Sequence, residues 1–182
     1  MTPCGYGERL RASLEQRLAK YGLRLHPTKT RLIEFGRFAR ANRAQRGAGK
    51  PESFDFLGFT HSCGVRRSDG KFGIRRVSIA KRVRAFLQRI KTELQRFYAM
   101  SIAWQGGWLR QKVRGYFQYH AVPGNQAALN TVRREVNRLW LRTLRRRSQR
   151  HDLPWSRFTR CVRRWIPSVR ILHPYPNQRF AF

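Results

Sequence analysis

One stretch limits what this chain can become more than any other: WLRQKVRGYFQYHAVPGN, residues 108–125. Trp108, Leu109, Val113, Tyr116, Phe117, His120 and Ala121 recur at helical spacing, so one face of the segment is apolar and aromatic. Arg110, Lys112 and Arg114 fall mostly off that face and carry charge outward. Val122-Pro123-Gly124-Asn125 then stops the helix, because proline lacks the donor that a helix needs and glycine favours other backbone conformations. A helix this aromatic requires neighbours to cover it. Apolar-periodic basic segments flank it, so its plain reading is the core helix of a small bundle.

The same chain carries 40 Lys and Arg against 9 Asp and Glu, a formal charge of +31 over 182 residues. A compact body with that charge repels itself, and a polyanion is the natural partner. Nucleic acid is the first expectation, an anionic membrane surface the second. No apolar run approaches the roughly 20 residues of a membrane span, and the N-terminal residues MTPCGYGERL lack the apolar core of a signal peptide. A cytoplasmic location without membrane association is expected. Cys4, Cys63 and Cys161 have no paired spacing for zinc or a disulfide framework, and the histidines are dispersed, so no metal site is expected.

In chain order, Leu10, Leu14, Leu18 and Tyr21 predict a helix over 8–21, capped by Gly22. Residues 23–36 read as a turn at Pro27 followed by a strand over 30–35. The basic, glycine-containing run 37–52 reads as an exposed loop. Residues 54–60, FDFLGFT, suit one short strand with a bend at Gly58, and Ser68-Asp69-Gly70-Lys71 a hairpin turn between Val65 and Ile74. From Ser78, a plausible N-cap, the period turns helical: Ile79, Val83, Phe86, Leu87, Ile90, Leu94 and Phe97 form one stripe. Gly106 and Gly107 read as a linker before the helix at 108–121. Leu129, Val132, Val136, Leu139, Trp140, Thr143 and Leu144 form the next stripe, with Asn125 as its cap. Trp155, Phe158, Val162, Trp165 and Ile166 form a shorter one ended by Pro167, and the tail should be extended and packed on something. The expected class is α+β: a small α/β piece over 1–76, then a mainly helical bundle over 77–182.

The third bundle helix is the clearest binding surface. Arg134, Arg138 and Arg142 form a ladder off the apolar stripe, Arg133, Arg145, Arg146, Arg147 and Arg150 add to it, and only Glu135 opposes them nearby. A solvated charged face usually mixes signs, and this one hardly does. Arginine's planar fork of donors also suits phosphates. Lys81, Arg82, Arg84, Arg89, Lys91 and Arg96 extend the surface to the first bundle helix. The aromatic side chains fall on buried stripes and read as core rather than as platforms for bases. The carboxylates form no Asp-x-Asp or Asp-Asp pair, and neither a glycine-rich phosphate loop nor a nucleophile elbow occurs, so the residues compose no complete active site.

Several blocks together resemble a known family. GLRLHPTKTRLIEFGRFA (22–39) and GKPESFDFLGFTH (49–61) resemble the end of the reverse-transcriptase region of bacterial group II intron proteins. WLRQKVRGYFQYHAVPGN (108–125), LWLRTLRRRSQR (139–150) and RILHPYPNQRF (170–180) resemble their thumb, or maturase-specific X domain. The blocks run in the family's order over nearly the whole chain.

The resemblance implies a palm edge with a primer-grip hairpin over 1–76 and a thumb/X domain over 77–182. It implies that Lys29 lies near an incoming nucleotide, that Phe56, Leu57 and Gly58 hold a primer end, and that the basic helices around Arg110–Arg114 and Arg133–Arg147 contact phosphates of intron RNA or of RNA–DNA duplex. Lys81, Arg82, Arg134, Arg138, Arg142, Arg145 and Arg146 join that nucleic-acid set. Family members copy RNA into DNA and assist RNA splicing and intron mobility. They use magnesium held by a Tyr-Ala-Asp-Asp tetrad and an upstream aspartate, and nothing in this sequence matches either. The chain is therefore expected to be a C-terminal piece with no catalytic residues and no cofactor of its own. The alternatives are a thumb supplied to a separately encoded catalytic half, and a remnant without function.

Overall fold

The structure, a computed structural model, describes residues 3–66, 70–147 and 153–174. Among them are six helices and one three-stranded antiparallel sheet, which is the α+β class expected. The chain divides into two compact units, Met1–Glu52 and Ser53–Phe182. The division thus falls before the hairpin strands and not at 76/77.

In the first unit, α1 (Pro3–Ala19) begins a turn earlier than its apolar stripe suggests, and Gly22 donates to the carbonyl of Ala19 just beyond its end. Of its stripe, Leu10, Leu14 and Tyr21 are exposed and Leu18 is half-buried. Residues 30–35 form no strand. They run without a ladder, since a strand requires another to bond to and the described part of this unit offers none. Nor is 37–52 all loop, for it contains α2 (Ala39–Gln45). ARANRAQ is built from strong helix formers but holds no large apolar residue, so a search for apolar periodicity passes over it. Arg46 after α2 pairs with Glu34.

The second unit opens with β1 (Phe54–Phe56), β2 (Phe59–Val65) and β3 (Phe72–Ser78), in sheet order β1-β2-β3. The single strand expected over 54–60 is two. Phe56 faces Phe59 in register, leaving Leu57 and Gly58 as a two-residue turn with φ of 46° and 85°. Positive φ at both positions belongs to the turn whose twist matches antiparallel strands, and glycine is at ease there while leucine is not. The second hairpin pairs Val65 with Phe72. Of its expected turn, Ser68 and Asp69 lie outside the described residues, while Gly70 donates to the carbonyl of Arg66.

Four helices follow: α3 (Ala80–Arg96), α4 (Ile102–His120), α5 (Gln126–Arg145) and α6 (Trp155–Trp165). Helix α4 starts six residues before the stretch that predicted it, with Ser101 accepting from the backbone of Trp104 as its cap. Gly106 and Gly107 are therefore inside the helix and not a linker. A Cβ at Gly106 would lie 2.5 Å from the Trp165 ring, so glycine lets α6 bring its tryptophan against the α4 backbone. Leu109, Val113 and Phe117 of α4 meet Ile90 and Leu94 of α3, Val132, Val136 and Trp140 of α5, and Phe158 of α6 in one core. Trp140 Nε1 donates to Gln105 Oε1 (3.1 Å), and Gln105 Nε2 donates to the carbonyl of Phe97 (2.6 Å), which gives each buried polar group a partner.

Ser78 is not an N-cap. It ends β3, buried, and the capping position belongs to Ile79. Asn125 stands at the cap position of α5, yet its side chain works elsewhere: Oδ1 accepts from the backbone N–H of Ser78 (3.0 Å), while Nδ2 donates to Ser78 Oγ and to the carbonyl of His120, both at 2.8 Å. This knot, with Phe59 packed against the rings of Tyr119 and His120, ties the sheet to α4 and explains why the hairpins belong with the helices. Residues 166–174 leave the helical core in non-helical form, and the backbone N–H groups of Leu172 and His173 both donate to the carbonyl of Ala121. The remainder of the expected tail, 175–182, lies outside the described residues.

Candidate nucleic-acid interface

Helix α5 turns one face inward because Leu129, Val132, Val136, Trp140 and Leu144 are buried against the other helices. At 3.6 residues per turn that leaves Arg134, Arg138 and Arg142 on the opposite side, and all three are exposed, as are Arg145 and Arg146, while Arg150 lies outside the described residues. Glu135 partly neutralises two of them, at 3.6 Å from Arg134 Nε and 3.3 Å from Arg138 Nη1. Arg145 donates to the carbonyl of Leu153. The surface therefore combines guanidinium groups tied to protein oxygens with others, such as Arg142, that project over a cleft.

That cleft runs between α3 and α5. One part, of about 490 Å³, is lined by Lys91, Gln95, Tyr98, Leu139, Arg142 and Arg146, and it continues past Arg84 and Gln88 of α3 to Glu135. Lys91 and Arg84, on the α3 side, thus oppose Arg142 and Arg146 on the α5 side. Tyr98 is 57 % exposed at one end of the cleft, contrary to the expectation that the aromatic rings are all core. Cationic walls, an apolar floor at Leu139 and an aromatic ring at one end suit a sugar–phosphate strand.

Most of the other candidate residues do not line this cleft. Arg82 of α3 lies at the first hairpin, where a side chain on Gly58 would meet Arg82, Tyr119 and His120 at 3.4 to 3.7 Å. Gly58 is buried there, while Phe56 and Leu57 are exposed at the tip. Tyr119 Oη donates to the carbonyl of Leu57 (2.6 Å) and so braces the turn against α4. Lys81 is exposed near the start of α3. Arg110 faces α6, in a recess with Arg133; Arg114, one turn on, shares its side of α4, whereas Lys112 is carried roughly 200° away from Arg110 round the helix. Lys29 sits in the first unit, in an exposed turn over 27–29.

Beside the hairpin, His120 is buried under Phe59 and Tyr116. Burial, with the Arg82 guanidinium adding to it, pushes its imidazole pKa down to about 4. Ser78 Oγ lies 3.1 Å from His120 Nδ1 and accepts from Asn125 Nδ2, which places the ring inside the same hydrogen-bonded knot.

Among the described residues no three His, Cys, Asp or Glu side chains gather. No helix among them is long and apolar enough to cross a membrane. Sequence reasoning passed over Arg163 and Arg164 of α6, which line the recess beside Arg110. Their signal was available as an adjacent pair, but only the apolar stripe of that segment drew notice. Comparison with known protein families, with curated proteins and with solved structures found no match.

Proposed function

We propose that this chain binds structured RNA or RNA–DNA duplex, as the thumb and X domain of a group II intron reverse transcriptase/maturase would, and that the α3–α5 cleft is the principal contact. The observation that carries the reading is the exposed cationic wall of α5 facing Arg84 and Lys91 across that cleft, with Glu135 the one carboxylate among the described residues that line it. Such a surface engages phosphates regardless of base sequence, and folded intron RNA or a template–primer duplex presents them in the required density. The motif blocks are what favour intron RNA over other polyanions. Without the family's aspartates, copying of a template by the chain alone is not expected.

The test is fluorescence anisotropy of a labelled, folded group II intron RNA domain against wild type and against Arg138→Glu/Arg142→Glu. The double variant should bind at least about tenfold more weakly, because each charge reversal removes one phosphate contact and adds a repulsion. Equal binding by both proteins would overturn the reading.

A second reading has its own support in the first unit, where Tyr6, Leu10, Leu14 and Tyr21 of α1 and its exit are exposed. Apolar side chains gathered on one helix suit a protein partner, and a separately encoded catalytic half would be that partner. Primer extension that requires both polypeptides, and that fails with Leu10→Glu/Leu14→Glu, would support it.

A further inference from the structure

Arg110 of α4, Arg133 of α5, and Arg163 and Arg164 of α6 converge on a recess of about 340 Å³ that no carboxylate among the described residues lines. Two of the four guanidinium groups are held by contacts within the bundle. Arg133 Nε donates to the carbonyl of Pro167 (3.0 Å), which leaves the two terminal nitrogens of the guanidinium as its remaining donors. Arg164 lies over the Trp165 ring at 5.2 Å, and that ring is held against the α4 backbone at Gly106. Like charges brought together from three helices oppose one another unless an anion joins them.

We propose that this recess is a second phosphate-binding site, and that the bundle uses it to hold a second segment of nucleic acid while the α3–α5 cleft holds the first. The inference rests on the nucleic-acid reading above and adds to it. Leu139, which lines the cleft, and Arg133, which lines the recess, are six residues apart and so roughly 120° apart round α5. The two cationic surfaces therefore belong to different flanks of one helix. A flat anionic membrane cannot lie against both at once. A folded RNA can, because its helices present phosphates on several sides.

The experiment is a stoichiometric titration of the full chain with a short RNA hairpin, read by native mass spectrometry, with a two-colour hairpin mixture scored for energy transfer. Wild type should take up two hairpins per chain and give transfer. Arg163→Ala/Arg164→Ala should weaken the second hairpin at least about tenfold and abolish transfer, with the tighter site unchanged, while Arg163→Lys/Arg164→Lys should restore part of the second binding. Circular dichroism melting of each variant separates a lost site from a lost fold. One hairpin per chain on wild type, still sensitive to Arg138→Glu/Arg142→Glu, would overturn the second site and leave the first reading standing. Binding of anionic vesicles that depends on Arg163 and Arg164, with hairpin uptake unaffected, would also overturn it. No hairpin bound at all would overturn both.

Discussion

Asn125 concentrates three buried hydrogen bonds in one side chain. Its amide thereby joins the end of β3 to the end of α4. Asn125→Ala would leave the Ser78 N–H and the His120 carbonyl without those partners, and a loss of roughly 2–4 kcal/mol is expected, measurable as a lowered urea midpoint. His120, in the same knot, makes stability depend on pH. Its folded pKa of about 4 lies below the ordinary 6.5, so the unfolded chain takes up the proton first as pH falls. Above pH 6.5 both states are neutral and no penalty exists; between 6.5 and about 4 the fold loses stability, by about 2 kcal/mol at pH 5. Urea denaturation at pH 7 and pH 5 should show that drop in wild type. His120→Asn should be weaker at pH 7 but should lack this component of the drop.

At the scale of elements, the first hairpin holds an exposed leucine at φ 46°, a conformation that branched side chains resist. Leu57→Asn should raise the thermal midpoint, by about 1 kcal/mol of stability, and the exposed apolar tip is what the native residue keeps in exchange. Gly106→Ala should do the reverse, costing roughly 1–3 kcal/mol by driving a methyl group into Trp165. These two sites also mark where the sequence was legible and where it was not. Apolar stripes on α3, α4, α5 and α6 were readable because each helix buries one face against the others. Glycines were not, since a glycine that breaks a helix and one that admits a neighbouring ring look alike until the neighbour is known. Gly106 reads as a linker and Gly58 as a bend within a strand for that reason. Asn125 was placed correctly at the head of α5, but its hydrogen-bond partner, 47 positions away, is a tertiary fact. Among the charged residues, the α5 ladder was visible as a period. The separation of Arg110 from it, and the company of Arg163 and Arg164, depend on how three helices pack.

For the molecule as a whole, the governing quantity is a charge of +31 carried on surfaces with few acids to offset it. The apolar core and buried hydrogen bonds hold the bundle together against that repulsion, and Glu135 is the one carboxylate that pairs with the α5 arginines among the described residues. Ordinary structural roles do not require arginines on two flanks of α5; a polyanion gives both a purpose. The direct test is the affinity of the wild-type chain for a folded intron RNA domain, measured across monovalent salt from 50 to 200 mM. The account predicts a straight fall in log affinity against log salt, on the order of a thousandfold over that range, as six or more phosphates exchange counterions for arginine and lysine. Affinity that stays level across the series, or no binding at 50 mM, would contradict it.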